Sequence, residues 1–165
     1  MQTWLNRTLG ILALGGSAIG FTIILTAIIS EQPVSSKVIL ALFLPVYSWG
    51  VWCGVKMLER HPGAIRTNLI FWAIQVPVLQ STAFTYLLSS GVLGGVWLQL
   101  SPAKITALGW LGSRFELAIN QPKPFAFGLN LVAVAICVVL LRARRGQPSD
   151  DPLTVSPDAT PKPGC

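Results

Sequence analysis

Residues 69–98 read LIFWAIQVPVLQSTAFTYLLSSGVLGGVWL, thirty positions without one charged side chain. A membrane-crossing helix needs roughly 20 residues, because a hydrocarbon core about 30 Å thick is traversed at 1.5 Å per residue. Read as a helix, this stretch is long enough to cross a bilayer at a tilt, with residues left over for a partly buried exit. Its polar side chains then fall into register. At 100° per residue, Asn68, Gln75, Thr82, Tyr86 and Ser89 share a stripe about 60° wide, with Gln80 outside it and Pro77 a place for the helix to bend. Amide groups at membrane depth are costly without partners, so the stripe is expected to face other helices through hydrogen bonds. A water-lined path or a ligand pocket along these six residues is the functional alternative.

Working outward, residues 9–29, 38–55 and 125–141 are also uncharged and apolar, and Lys56 can snorkel to extend the second of them. The four stretches predict an all-α membrane protein, a four-transmembrane-helix bundle occupying residues 1–141, with spans at about 9–29, 38–57, 69–92 and 125–141. The first stretch exceeds the 7–15 residues of a signal-peptide core and has no A-x-A site behind it, so it reads as a retained span. From 142 onward five prolines, several aspartates and no aromatic residue predict a disordered cytoplasmic tail over 142–165.

Only 11% of the residues are charged against 52% hydrophobic, a balance that a soluble domain of 165 residues does not sustain. The formal charge of +6 is concentrated beside the apolar stretches and gives no reason to expect a nucleic-acid partner. Arg7, then Lys56, Arg60 and Arg66, then Arg142, Arg144 and Arg145 with Lys162 fall on one side. Lys37, Lys104, Arg114 and Lys123 fall on the other. The positive-inside rule then puts both termini in the cytoplasm, and the lack of an organelle signal points to a bacterial inner membrane.

The connection 99–124 is expected to form an outer cap. Ser101-Pro102 is a helix-start pair, and Ile105, Leu108 and Leu111 follow at helical spacing, which predicts a short surface helix with Trp110 at headgroup depth. Residues 114–120 alternate and read as extended, which would place Arg114 and Glu116 on one face of a solvated strand. Gln121-Pro122-Lys123-Pro124 reads as a rigid turn.

Gly16 and Gly20 in the first span, and Gly50 and Gly54 in the second, are small residues four apart and predict close backbone packing between neighbouring helices. The chemistry-bearing residue types make no constellation. Cys53, Cys137 and Cys165 have no metal-ligand spacing, His61 is the only histidine, and no carboxylate lies within an apolar stretch. No catalytic residue, metal or cofactor is therefore expected, and a proton-coupled transporter is disfavoured. The function anticipated from the sequence is that of a noncatalytic membrane subunit or accessory factor, with lipid and a protein partner or a second copy as its contacts. A small homo-oligomeric transporter or channel is the first alternative, and a lipid-binding or lipid-modifying membrane enzyme the second.

Overall fold

Gly10, Gly20, Gly50 and Gly54 let two long helices lie against each other, and the rest of the chain is built on that pair. The computed structural model describes residues 2–30, 34–100, 103–119 and 124–145. Helices α1 (Gln2–Ile29) and α2 (Val34–Leu58) run antiparallel. Gly54 sits on the backbone of Leu14, Gly50 on Ser17 and Phe71, Gly20 on the Tyr47 ring, and Gly10 on Leu58. A side chain at any of these positions would separate the helices. Residues Trp4–Ile29 and Lys37–Leu58 are long and apolar enough to cross a membrane.

Beyond α2 the chain departs from the expected four-span, all-α bundle, and that reading is corrected. Helix α3 covers only Ala64–Ala73. Six strands follow: β1 (Pro77–Gln80), β2 (Phe84–Ser89), β3 (Val92–Leu100), β4 (Ala103–Leu111), β5 (Arg114–Ile119) and β6 (Ala126–Asn130). Helix α4 (Leu131–Arg145) closes the described chain. The third expected span is thus a helix end and two strands, the fourth is a strand running into a half-length helix, and the expected surface helix after Ser101-Pro102 is β4.

The physical reasons are local. Pro77 has no N–H to continue α3 and stands at the first position of a strand, where that lack is tolerated. Gly91 adopts φ 89°, a left-handed turn that breaks any helix there. Between these breaks Val78, Thr82, Phe84, Thr85 and Tyr86 are β-branched or aromatic residues, which favour strand over helix. At the junction of β6 and α4, Asn130 caps the helix by accepting from the Ala133 N–H at 3.4 Å. The expected disordered tail begins inside α4 at 142–145, and its remainder, 146–165, lies outside the described residues, as do Ser101-Pro102 and residues 120–123.

The strands form one antiparallel sheet in the order β4-β3-β6-β1-β2-β5. Two links force it to curl. Strands β4 and β5 lie at opposite ends of that order, about 24 Å apart in a flat sheet at 4.8 Å per neighbour, yet only Gly112 and Ser113 join them. Three Cα steps reach at most about 11 Å. Strands β2 and β3, three places apart, are likewise joined by Ser90 and Gly91 alone. The sheet therefore rolls into an open barrel, with β4 and β5 facing each other across an unpaired seam and both links crossing its base. The Gly112 N–H donates to the Gly91 carbonyl at 2.8 Å and ties the two links together.

The barrel base meets α1 at its middle, where a Cβ on Gly16 would fall 2.5 Å from the Gly91 nitrogen. From there the barrel runs beside the C-terminal half of α1 and the N-terminal half of α2, through Phe43, Tyr47, Leu88 and Phe115. On the other side of this level α3 and α4 pack on the remaining halves, around Leu9, Cys53, Met57, Phe71, Trp72 and Ile136. The fold is a four-helix layer at one end and two helices beside a barrel at the other.

Candidate binding cavity

Strand pairing assigns every side chain on the barrel to one face. On β1, Gln80 pairs with Thr85 of β2 and with Ala126 of β6. Ala126 pairs with Gln99 of β3, and Gln99 with Lys104 of β4. On β2, Thr85, Leu87 and Ser89 share one side of the strand, and Leu87 and Ser89 pair with Glu116 and Arg114 of β5. Side chains alternate along each strand, so these residues, together with Trp97, Thr106 and Asn130, share one face. That face is the barrel interior. A cavity of about 240 Å³ is lined by residues from all six strands, among them Gln80, Leu87, Trp97, Gln99, Thr106, Arg114 and Glu116.

The distribution of polarity is lopsided. Every charged and amide side chain on the six strands lies on the interior face, as do Thr85, Ser89 and Thr106. The outer face carries Leu79, Phe84, Val96, Leu98, Leu100, Ile105, Leu111, Phe127 and Leu129, all exposed. An ordinary half-buried sheet shows the reverse, apolar inward and polar outward. The exception is Tyr86, which faces α1 and α2 from β2. Its hydroxyl donates to the Ile74 carbonyl at 2.7 Å.

Inside the barrel, Arg114 and Glu116 place a cation and a carboxylate two residues apart on β5, both half-buried. The Arg114 guanidinium lies 5.8 Å from the Trp110 ring centroid, within cation–π range. Two buried polar atoms on the interior side, Thr85 Oγ1 and Asn130 Nδ2, have no partner among the described residues. Such atoms are normally satisfied by water or ligand, since leaving one orphaned costs about 1–3 kcal/mol.

The base is sealed by hydrogen bonds. Gln75, just past α3, accepts from the Ser90 N–H through Oε1 at 2.7 Å and donates to the Phe71 carbonyl through Nε2 at 3.1 Å. The Ser17 and Ser90 hydroxyls are 3.0 Å apart, and Ser113 donates to the Gly16 carbonyl. The Tyr47 hydroxyl reaches the carbonyls of Ser89 at 3.2 Å and Arg114 at 3.5 Å, and Ser89 donates to the Val92 carbonyl at 3.0 Å. Below this plug lies the helical layer, apolar apart from the buried Asn68 amide and the Trp72 indole N–H.

The six polar residues singled out from sequence are thus dispersed. Asn68 is buried on α3, donating to the carbonyls of Cys53 and Ala64 at 2.8 and 3.0 Å. Gln75 and Ser89 belong to the base plug, Tyr86 to the outer face, Thr82 to the exposed turn between β1 and β2, and Gln80 to the cavity wall. They form no single stripe, because they do not share a helix. Thr85, Gln99, Thr106 and Asn130 went unselected, and Arg114 and Glu116 were assigned to a solvated cap. For Gln99, Thr106, Arg114 and Glu116 the signal is the two-residue alternation of polar and apolar positions at 98–100, 103–107 and 114–117, legible only if those residues are read as strands.

Among the described residues no three of His, Cys, Asp and Glu come together as a metal site. What the cavity offers is one cation, one carboxylate, two amides and a hydroxyl around an indole, a set suited to holding a polar group of mixed charge. Compared with protein-family models, with curated proteins and with solved structures, the chain matches none.

Proposed function

We propose that this chain is a noncatalytic integral membrane protein that binds a small zwitterionic or polar group in its strand barrel, whether as a free solute or as the head of an amphiphile. The observation that carries this reading is the cavity lined by all six strands, with Arg114 and Glu116 in its wall and an apolar surface outside.

The orientation follows from charge. Arg7, Lys56, Arg60, Arg66 and the Arg142, Arg144, Arg145 cluster all gather at the helical end, which by the positive-inside rule supports reading that end as the cytoplasmic side. The barrel then opens outward. A continuous pathway through one copy is disfavoured, because the hydrogen-bonded base and the apolar helical interior block it. A contact role in a larger complex is the second reading, favoured by β4, exposed at all nine positions and unpaired along one edge.

Extraction of the full chain in a mild detergent, followed by native mass spectrometry, tests both. A bound small molecule that disappears in the Arg114→Leu, Glu116→Leu double variant, with the fold retained, supports the cavity reading. Wild-type protein that carries no small molecule and takes up none from zwitterionic lipid micelles overturns it. A stoichiometric larger protein lost on charge substitution along β4 establishes the second reading instead.

A further inference from the structure

We infer that the barrel itself is immersed in the outer leaflet, its outward face against lipid acyl chains and its interior hydrated from the outer surface. This rests on the membrane insertion of α1 and α2 proposed above, and adds to it where the sheet lies.

Depth is fixed by the helices. The Ser90–Gly91 and Gly112–Ser113 links dock on α1 at Gly16 and Ser17, the midpoint of the Trp4–Ile29 span. A span centred there puts the barrel base at the bilayer midplane. From Gly16 to Ile29 the helix climbs about 20 Å at 1.5 Å per residue. The nine residues of β3 and of β4 cover about 30 Å along the strand, or about 21 Å of height at the 45° tilt of membrane strands. Barrel and helix therefore end at the same level, so most of the sheet's height lies within the hydrocarbon half-thickness of about 15 Å, and only its rim reaches headgroup depth.

The surface agrees with that depth. Ile105 is 72% exposed, Leu111 82%, Leu98, Phe127 and Leu129 continue the same face, and α1 and α2 expose apolar side chains of their own, such as Ile19 and Ile23 on α1 and Leu42 on α2. Apolar-out, polar-in alternation is the pattern of a lipid-facing barrel wall. The backbone is compatible too. Neighbouring strands satisfy one another, and the unpaired edges of β4 and β5 border the cavity that Thr106, Arg114 and Glu116 line. Irregular or unpaired backbone at membrane depth is tolerated where it faces such a water-filled space.

The test uses consecutive residues of one strand. In a full-length chain with Cys53, Cys137 and Cys165 replaced by alanine, single cysteines at Ile105, Thr106 and Ala107 are spin-labelled and reconstituted in phosphatidylcholine vesicles, with Ile23→Cys on α1 as a depth control. Collisions with dissolved oxygen and with a polar nickel chelate are then compared. The expected result is alternation: oxygen relaxes the labels at 105 and 107, more strongly at 107, which lies deeper, while nickel relaxes the label at 106. Nickel access at all three, with Ile23 in lipid, overturns the inference and leaves the membrane reading standing. Protection of 105 and 107 from both probes also overturns it, since a protein surface and not lipid would then cover that face. Nickel access at Ile23 as well removes the membrane reading itself.

Discussion

The hydroxyl of Ser17, midway along α1, lies 3.0 Å from the hydroxyl of Ser90, in the link between β2 and β3, and both residues are buried. This contact, between residues 73 positions apart, is where the barrel is fastened to the helical pair. It is possible only because both neighbours are glycine. Gly16 leaves room for the link, and Gly91 turns it with φ 89°. A Cβ at Gly16 would collide with the backbone of Ser90 and Gly91, while one at Gly15 would meet nothing within 4 Å. Gly16→Val is therefore expected to lose about 1–3 kcal/mol, the usual cost of overpacking, and Gly15→Ala to lose nothing. Unfolding by SDS titration in mixed micelles measures both, and equal effects would mean that the link does not sit on α1.

Gln75 joins three parts of the fold, the end of α3, the β2–β3 link and, through Ser90, the α1 midpoint. Gln75→Leu keeps the volume but leaves the Ser90 N–H buried without an acceptor, which costs about 1–3 kcal/mol. Gln75→Glu restores the acceptor but puts a carboxylate in an apolar setting, so it does not rescue. In vesicles the pair Gln75→Leu and Thr82→Val is expected to leave solute flux at the background of empty liposomes, as the wild type does. Flux through the wild type that this pair abolishes would reinstate a pathway.

Asn130 ends β6 and caps α4 in one residue, with Oδ1 3.4 Å from the Ala133 nitrogen and 3.3 Å from that of Gly94 on β3. Loss of a cap costs about 0.5–2 kcal/mol. Asn130→Ala is expected to destabilise by that amount and to raise amide exchange in the first turn of α4, whereas Asn130→Ser, which retains a capping oxygen, loses less. Exchange that rises equally in both variants would show that the cap is not what starts the helix.

The first two helices were legible because a long uncharged stretch has one meaning when it is helical at both ends and carries its glycines four apart. The barrel was not, although its residues were in plain view. A strand with one face toward apolar surroundings and the other toward a narrow cavity contains few charges, so 69–98 scores as a span by composition alone. What separated the readings was punctuation, Pro77 and Ser90-Gly91, and the phase of Gln80, Gln99, Lys104, Thr106, Arg114 and Glu116, which are all interior under period two. Asn68, Gln75, Thr82, Tyr86 and Ser89 line up as a helical stripe because positions seven apart, such as Asn68, Gln75 and Thr82, nearly coincide at 100° per residue. The extended phase of 114–120 was the one barrel strand whose alternation stood out, since Arg114 and Glu116 flag it with charge.

Thr85 decides whether the barrel interior is wet. Its side chain is 3% exposed and its hydroxyl has no partner among the described residues, although it stands on the interior face beside Gln80. In a dry barrel that orphan is a standing penalty, and Thr85→Val, which matches its shape, would stabilise the fold by about 1–3 kcal/mol. In a hydrated or ligand-filled barrel the hydroxyl is already satisfied, so the same substitution stabilises little and weakens whatever the cavity holds. The expected outcome is a stability within about 0.5 kcal/mol of wild type, as for substitutions that disturb no packing, together with reduced retention of the bound molecule in native mass spectrometry. A clear gain in stability with retention unchanged would mean that the interior is closed to solvent and holds no ligand at Thr85.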